Sequence, residues 1–333
     1  MFEGAKLDGY LRGALGVHGE MRIEQVAGGQ SNPTYYVTYD DRRLVLRKQP
    51  AQVLPSAHAV DREYRVLRAL AHSGVPVPPA ILYCDDRSVV GTHFYVMERL
   101  DGRVLSDVTL PGLEPAERAA MYDAMVETLA ALHALDPAAV GLADFGKPGN
   151  YFARQIGRWT KQWELSRTRD VPDLDLLAAW LPANIPQGDE TRIAHGDYRL
   201  GNLLFHPTEP RVIGVLDWEL STLGHPLADV AYNCIAWHMG TGDLGPARGL
   251  MGLDLASLGI PSEHAYVARY CALTGREPIG AFHLAFALFR SAVIFEGIAA
   301  RAQSGHAVAA DAAAVGRYSG VFARKAVELA GIG

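Results

Sequence analysis

His195-Gly196-Asp197-Tyr198-Arg199-Leu200-Gly201-Asn202 sets a carboxylate and an amide five residues apart, and a second carboxylate, Asp217, closes the apolar run Val212-Ile213-Gly214-Val215-Leu216. Phosphoryl transfer requires these group types. One carboxylate orients the attacking hydroxyl and accepts its proton, while an amide and another carboxylate hold the magnesium that bridges nucleotide phosphates. Asp197 is the candidate base. Asn202 and Asp217 are the candidate metal ligands, hard oxygen donors suited to an ion that keeps several waters and substrate phosphates as its other ligands.

The elements around these residues follow from pattern. Leu203-Leu204-Phe205 and the run Arg211 to Leu216 flank the turn-forming His206-Pro207-Thr208-Glu209-Pro210, which predicts a short hairpin bringing the two segments together. Leu7, Tyr10, Leu11 and Leu15 have helical spacing at the start of the chain. Three strand-like runs follow, Met21 to Val26, Thr34 to Tyr39 and Arg43 to Lys48, separated by Gly28-Gly29 and Asp40-Asp41. A helix from about His58 to His72 carries Val60, Tyr64, Leu67 and Leu70 along one side, and the runs Ala80 to Tyr83 and His93 to Glu98 complete five strands. Beyond Asp101-Gly102 the pattern turns helical: Glu117 to Leu135, Tyr151 to Arg167, Leu174 to Leu181, Leu227 to Met239, Ser262 to Thr274 and two long Ala-rich helices. The expected fold class is α+β, with the only composition shift near residue 100.

The first segment matches the kinase catalytic loop H-x-D-x-x-x-x-N, and Asp217 stands where the D-F-G aspartate would. Through HGDYRLGNLLFHP, VLDWELSTLGHPLADVAY and LVLRKQP, nearly the whole chain resembles the aminoglycoside phosphotransferase and choline kinase-like family, the small-molecule branch of the protein-kinase fold. Within it, the chain is most like the kinase domains associated with acyl-CoA dehydrogenases. The resemblance implies a bilobal fold: an N-lobe over residues 1–100 with a five-stranded antiparallel sheet and one long helix, and a mainly helical C-lobe over residues 101–333. It implies ATP as co-substrate, Mg2+ as cofactor and a small-molecule hydroxyl as acceptor.

The same resemblance distributes roles. Gly28, Gly29, Ser31 and Asn32 lie where a kinase covers the phosphates; glycines there admit close backbone approach, and the two polar side chains add donors. Strand alternation puts Val45 and Arg47 on one face and Leu46 and Lys48 on the other. The V-A-I-K pattern aligns Arg47 with the phosphate-contacting lysine, and the choice between Arg47 and Lys48 stays open. Glu63 matches the ion-pair partner of that cation, and backbone groups near Glu98 and Leu100 would hold adenine. Arg199 sits where protein kinases carry a lysine that touches the transferring phosphoryl group. His195 packs and orients the loop, Asp229 matches an aspartate that accepts from the loop backbone, and Glu219 is a candidate contact to a second magnesium. Gly196 replaces the arginine of H-R-D and no A-P-E follows, which argues against activation-loop phosphorylation.

The chain has 333 residues and a net charge of -6, which argues against nucleic acid or an anionic membrane as main partner. The N-terminal residues lack a signal-peptide pattern, and no apolar run approaches the roughly 18 residues needed to span a bilayer. Cys84, Cys234 and Cys271 lie far apart without metal-ligand spacing, which suits a reducing cytoplasm. Arg154, Arg158, Lys161, Arg167 and Arg169 face only Glu164 and Asp170, and from residue 243 onward seven acids meet eight bases. That balance suits an anionic or neutral acceptor, with Arg154 and Arg158 as candidate contacts. The subfamily resemblance suggests a hydroxy acid or hydroxyacyl-CoA. The competing readings are an antibiotic-modifying phosphotransferase and a nucleotide-binding pseudokinase, the latter favoured only by Arg47 in the lysine position.

Overall fold

A computed structural model describes residues 3–26, 32–50, 60–244, 247–303 and 316–333. Strands β1 (Arg22–Gln25), β2 (Thr34–Thr38), β3 (Arg43–Lys48), β4 (Ala80–Cys84) and β5 (Phe94–Glu98) form one antiparallel sheet in the order β1-β2-β3-β5-β4. Its central strand is β3, whose Leu44, Val45 and Leu46 are buried on both faces. Leu44 and Leu46 meet Leu7 and Leu11 of helix α1 (Gly4–Leu15) on the outer face, while Val45 joins the main core on the inner one. Helix α2 (Val60–Leu70) buries Val60, Glu63, Val66, Leu67 and Leu70, a stripe at helical spacing that contains one carboxylate. A single turn, α3 (Arg87–Val90), is capped by the Asp86 side chain accepting from the Ser88 N–H at 2.8 Å.

Helices dominate the rest: α4 (Pro115–Ala134), α5 (Tyr151–Ser166), α6 (Pro172–Ala183), α7 (Pro226–His238), α8 (Leu255–Leu258), α9 (Glu263–Thr274), α10 (Ala281–Gln303) and α11 (Tyr318–Ala330). The predicted hairpin is present as β8 (Leu203–Phe205) and β9 (Val212–Val215), with β6 (Arg103–Val104) as a third strand beside β8. Two further pairs, β7 (Arg192–Ala194) with β10 (Thr222–Gly224) and β11 (Thr241–Leu244) with β12 (Ala247–Arg248), are absent from the sequence reading. Runs of two to four residues are too short to show a period.

One expectation is corrected. Helix α10 is, by length and composition, apolar enough to cross a membrane, and 78 % of its most apolar window is buried within this fold. It packs against α5, α6, α7 and α11 and keeps His283, Arg290 and Glu296 buried among its apolar residues, the behaviour of a core helix. The α+β class stands, with the five-stranded sheet and its helix ahead of the helical portion.

Candidate active site

Strand β7 delivers the chain into the loop of residues 195–202, which a 3-10 turn, Leu200–Asn202, closes before β8. Gly196 takes φ +83, and a Cβ there would stand 2.6 Å from the Leu220 carbonyl oxygen, so no other residue fits this tight approach. His195 is fully buried and acts as a bridge. Its Nδ1 accepts from the Asp197 N–H at 3.2 Å, and its Nε2 lies 2.9 Å from the Leu216 carbonyl, beside Asp217. Those two partners require a neutral ring with the proton on Nε2. Trp218 packs against that ring at 4.6 Å.

Asp229, buried in the first turn of α7, accepts from the N–H groups of His195 at 2.6 Å and Gly196 at 2.8 Å. His133 lies behind it, with Nε2 at 3.3 Å from Asp229 and Nδ1 at 2.8 Å from the Tyr270 hydroxyl. Asp197 is held at both oxygens. Its Oδ2 accepts from Asn202 Nδ2 at 2.7 Å and Arg199 Nε at 3.4 Å, and its Oδ1 accepts from the Tyr232 hydroxyl at 2.5 Å. Asn202 also donates to the Asp197 carbonyl at 2.8 Å, which turns its amide oxygen away as an available acceptor. Asp217 has φ 63 and ψ 66, a left-handed conformation uncommon outside glycine. Such strain typically costs about 1–3 kcal/mol and persists where the surroundings impose it.

Arg47 reaches across from β3 to join Glu63 Oε2 at 2.9 Å and Asp217 Oδ1 at 3.2 Å. Glu63 is buried and also accepts from Asn32 Nδ2 at 2.6 Å and the Tyr95 hydroxyl at 2.9 Å. Burial pushes its carboxyl up to about 7, and the Arg47 guanidinium opposes that rise. Carboxylate oxygens of Glu63, Asp217 and Glu219 lie within 4.8 Å of one another, with Arg47 supplying the positive charge between the first two.

Four predicted site residues are placed elsewhere. Lys48 projects from the opposite face of β3, as strand alternation demands, and its Nζ donates to the Val90 carbonyl at 2.6 Å, so it does not accompany Arg47. Asn32 is buried with its amide turned to Glu63, supporting the ion pair instead of facing a phosphate. Arg154 donates to the Lys147 carbonyl at 2.6 Å, and the exposed Arg158 lies 5.2 Å from the Trp159 ring centre. Gly28, Gly29 and Ser31 lie outside the described residues.

Two cavities meet at this loop. The first, ≈ 340 Å³, lies between the sheet and β8–β9: Val45, Met97, Leu204 and Val215 supply apolar walls, Glu98 and Leu100 border it, and Arg47, Asn202 and Asp217 supply its polar end. Arg99 stacks on Tyr36 at 3.7 Å along its rim. The second, ≈ 330 Å³, runs from Arg199 and Tyr232 toward Tyr122, Trp237, Phe295 and Phe322. Gly201 lines both, and neither Arg154 nor Arg158 lines either. Sequence reasoning passed over Tyr232 and Arg290, although Tyr232 lies three residues after Asp229 and therefore on the same helix face.

The family model described as a phosphotransferase enzyme family matches residues 22–266. Over 329 residues the chain is 45% identical to acyl-CoA dehydrogenase family member 10 of Mus musculus, covering 97% of this chain and 31% of that protein. It is 43% identical over 313 residues to acyl-CoA dehydrogenase family member 11 of Homo sapiens, covering 90% and 39% respectively. The chain thus spans between 31% and 39% of these curated relatives' length. Among solved structures, a candidate aminoglycoside phosphotransferase from Ralstonia eutropha matches with TM-score 0.90 and 48% identity over 99% of both chains. A thermostable mutant of aminoglycoside phosphotransferase APH(4)-Ia, in ternary complex with AMP-PNP and hygromycin B, matches with TM-score 0.64 at 17% identity over 96% of this chain and 98% of that one, a likeness of fold. With the kinase-like fold and most of the length matched at these identities, this chain belongs to the phosphotransferase enzyme family.

Proposed function

We propose that this phosphotransferase moves the γ-phosphoryl group of ATP to a hydroxyl of a small neutral or anionic molecule, such as a hydroxy acid or hydroxyacyl-CoA. The observation that carries the reading is the meeting of two cavities at the loop bearing Asp197 and Asn202. The slot between Val45, Met97, Leu204 and Val215 suits a flat purine, with the backbone at Glu98 and Leu100 at its edge. Arg47, held by Glu63, would face the α- and β-phosphates, and its planar fork suits them bidentately.

The donor set fits magnesium. Asn202 presents its amide oxygen because its NH2 is committed to Asp197, and Asp217 presents a partly exposed carboxylate. Asn202 and Asp217 would hold the ion, whose charge would offset that developing on the nucleotide phosphates. Asp197 then orients the acceptor hydroxyl and takes its proton as the oxygen–phosphorus bond forms, while Arg199 stabilises the charge on the transferring group.

The second cavity fits the acceptor. Among the described residues its lining contains Arg199 and aromatic rings and no acidic side chain, which favours an apolar-bodied, neutral or anionic molecule over a polycation. Aminoglycosides call for clustered carboxylates, so the antibiotic reading is disfavoured. The pseudokinase reading is weakened by Arg47, which reaches both partners a lysine would serve. The test is a screen of hydroxy acids, acyl-CoAs, amino sugars and choline for acceptor-dependent ADP formation. Turnover with hydroxy acids or acyl-CoAs supports the reading; turnover with amino sugars alone overturns the acceptor assignment.

A further inference from the structure

We infer that Tyr232 is a positioning residue that decides which lone pair of Asp197 receives the acceptor hydroxyl, an inference resting on the phosphotransferase reading above. One face of α7 grips the catalytic loop at three points. Asp229 takes the backbone N–H groups of His195 and Gly196, Tyr232 donates to Asp197 Oδ1 at 2.5 Å, and Asn233 Nδ2 donates to the Tyr198 carbonyl at 3.2 Å.

A carboxylate offers about four lone-pair sites. Among the described residues, Asn202 and Arg199 occupy both sites on Oδ2 and Tyr232 occupies one on Oδ1, which leaves a single site on Oδ1. Tyr232 also lines the second cavity, and so links the space proposed for the acceptor to that oxygen. The phenol is itself fixed. The Arg290 guanidinium lies 5.3 Å from its ring centre and 5.7 Å from that of Trp159, and Arg290 donates to the Gly196 carbonyl.

In the transfer, the acceptor oxygen bonds to the γ-phosphorus, the bond from that phosphorus to the departing ADP oxygen breaks, and the acceptor proton passes to Asp197 Oδ1. Phenylalanine at 232 keeps the ring and removes only the donor. It leaves two open sites on Oδ1, so the acceptor hydroxyl is no longer confined to the productive approach, while Asn202 and Arg199 still hold Oδ2.

The experiment compares wild type, Tyr232→Phe, Asp197→Ala and the double variant. ADP release is followed with water and with 3-hydroxybutyryl-CoA as acceptors, and kcat for Tyr232→Phe should fall about 10- to 100-fold, with KM for ATP within twofold of wild type. In urea, Tyr232→Phe should lower the unfolding midpoint of wild type and leave that of Asp197→Ala unchanged, since the contact exists only when both partners do. A Tyr232→Phe kcat within twofold of wild type, or additive midpoint shifts, overturns the inference. If wild type transfers nothing to any acceptor, the functional reading fails, while the midpoint cycle needs no substrate and still decides whether the contact holds.

Discussion

Asp229→Ala tests how the catalytic loop is held. The carboxylate accepts two backbone donors, at 2.6 and 2.8 Å, in a site where Asp229 is only 2% exposed. Hydrogen bonds to a charged group contribute about 1.5–3 kcal/mol each, and a buried donor left alone costs a comparable amount. Two orphaned N–H groups therefore cost about 3–6 kcal/mol, and removing the buried charge returns part of that. A net loss of about 3–4 kcal/mol is expected, a large share of the roughly 5–15 kcal/mol of a folded domain. Asp229→Asn keeps one acceptor oxygen and should lose about half as much. Urea unfolding followed by tryptophan fluorescence reads both, because Trp218 packs on His195 in the same loop. An Asp229→Ala loss below about 1 kcal/mol, or an equal cost for asparagine and alanine, would refute the reasoning.

Other outcomes follow from the same geometry. Burial, with His225 adding, pushes the His283 imidazole down to about 4 from an ordinary 6.5. The unfolded chain therefore takes a proton that the folded one refuses, so this stability is whole above pH 6.5 and fades toward pH 4. The loss is on the order of 3 kcal/mol, and unfolding midpoints at pH 7.5 and 5 should converge in His283→Gln relative to wild type. Calorimetry should show weak magnesium binding to the protein alone and tight binding with ATP, because Asn202 and Asp217 supply too few ligands by themselves; tight stoichiometric zinc would contradict that. Reversing Arg154 and Arg158 to Glu should leave the acceptor KM within about twofold of wild type, since neither side chain lines a cavity.

Much of this site was legible because it is local. Asp197 and Asn202 sit on one loop, the turn after Phe205 announces the hairpin to Asp217, and the alternation of Leu44 to Lys48 already separates Arg47 from Lys48. What escaped depends on approach between distant segments. Tyr232 and Arg290 reach the loop from helices 35 and 94 residues away in sequence, and the three-residue spacing of Tyr232 from Asp229 is the one local signal for either. Counting charges along α5 misplaced Arg154 and Arg158, because a tally carries no direction, and Arg154 turns back to its own helix entrance. Asn32 was misassigned for a related reason: its partner, Glu63, lies on another element. The strands β6, β7 and β10 exist through pairing alone, at lengths where no period can be seen.

The central claim is tested most directly by phosphorus NMR of a reaction containing the protein, Mg-ATP and the hydroxy acid or acyl-CoA acceptor. Wild type should convert the γ-phosphorus signal into a phosphate ester of the acceptor with ADP in equal amount. Asp197→Asn should bind ATP normally and lose turnover by several orders of magnitude. A near-normal rate in that variant, or ATP loss that yields only inorganic phosphate with every acceptor, would contradict the account.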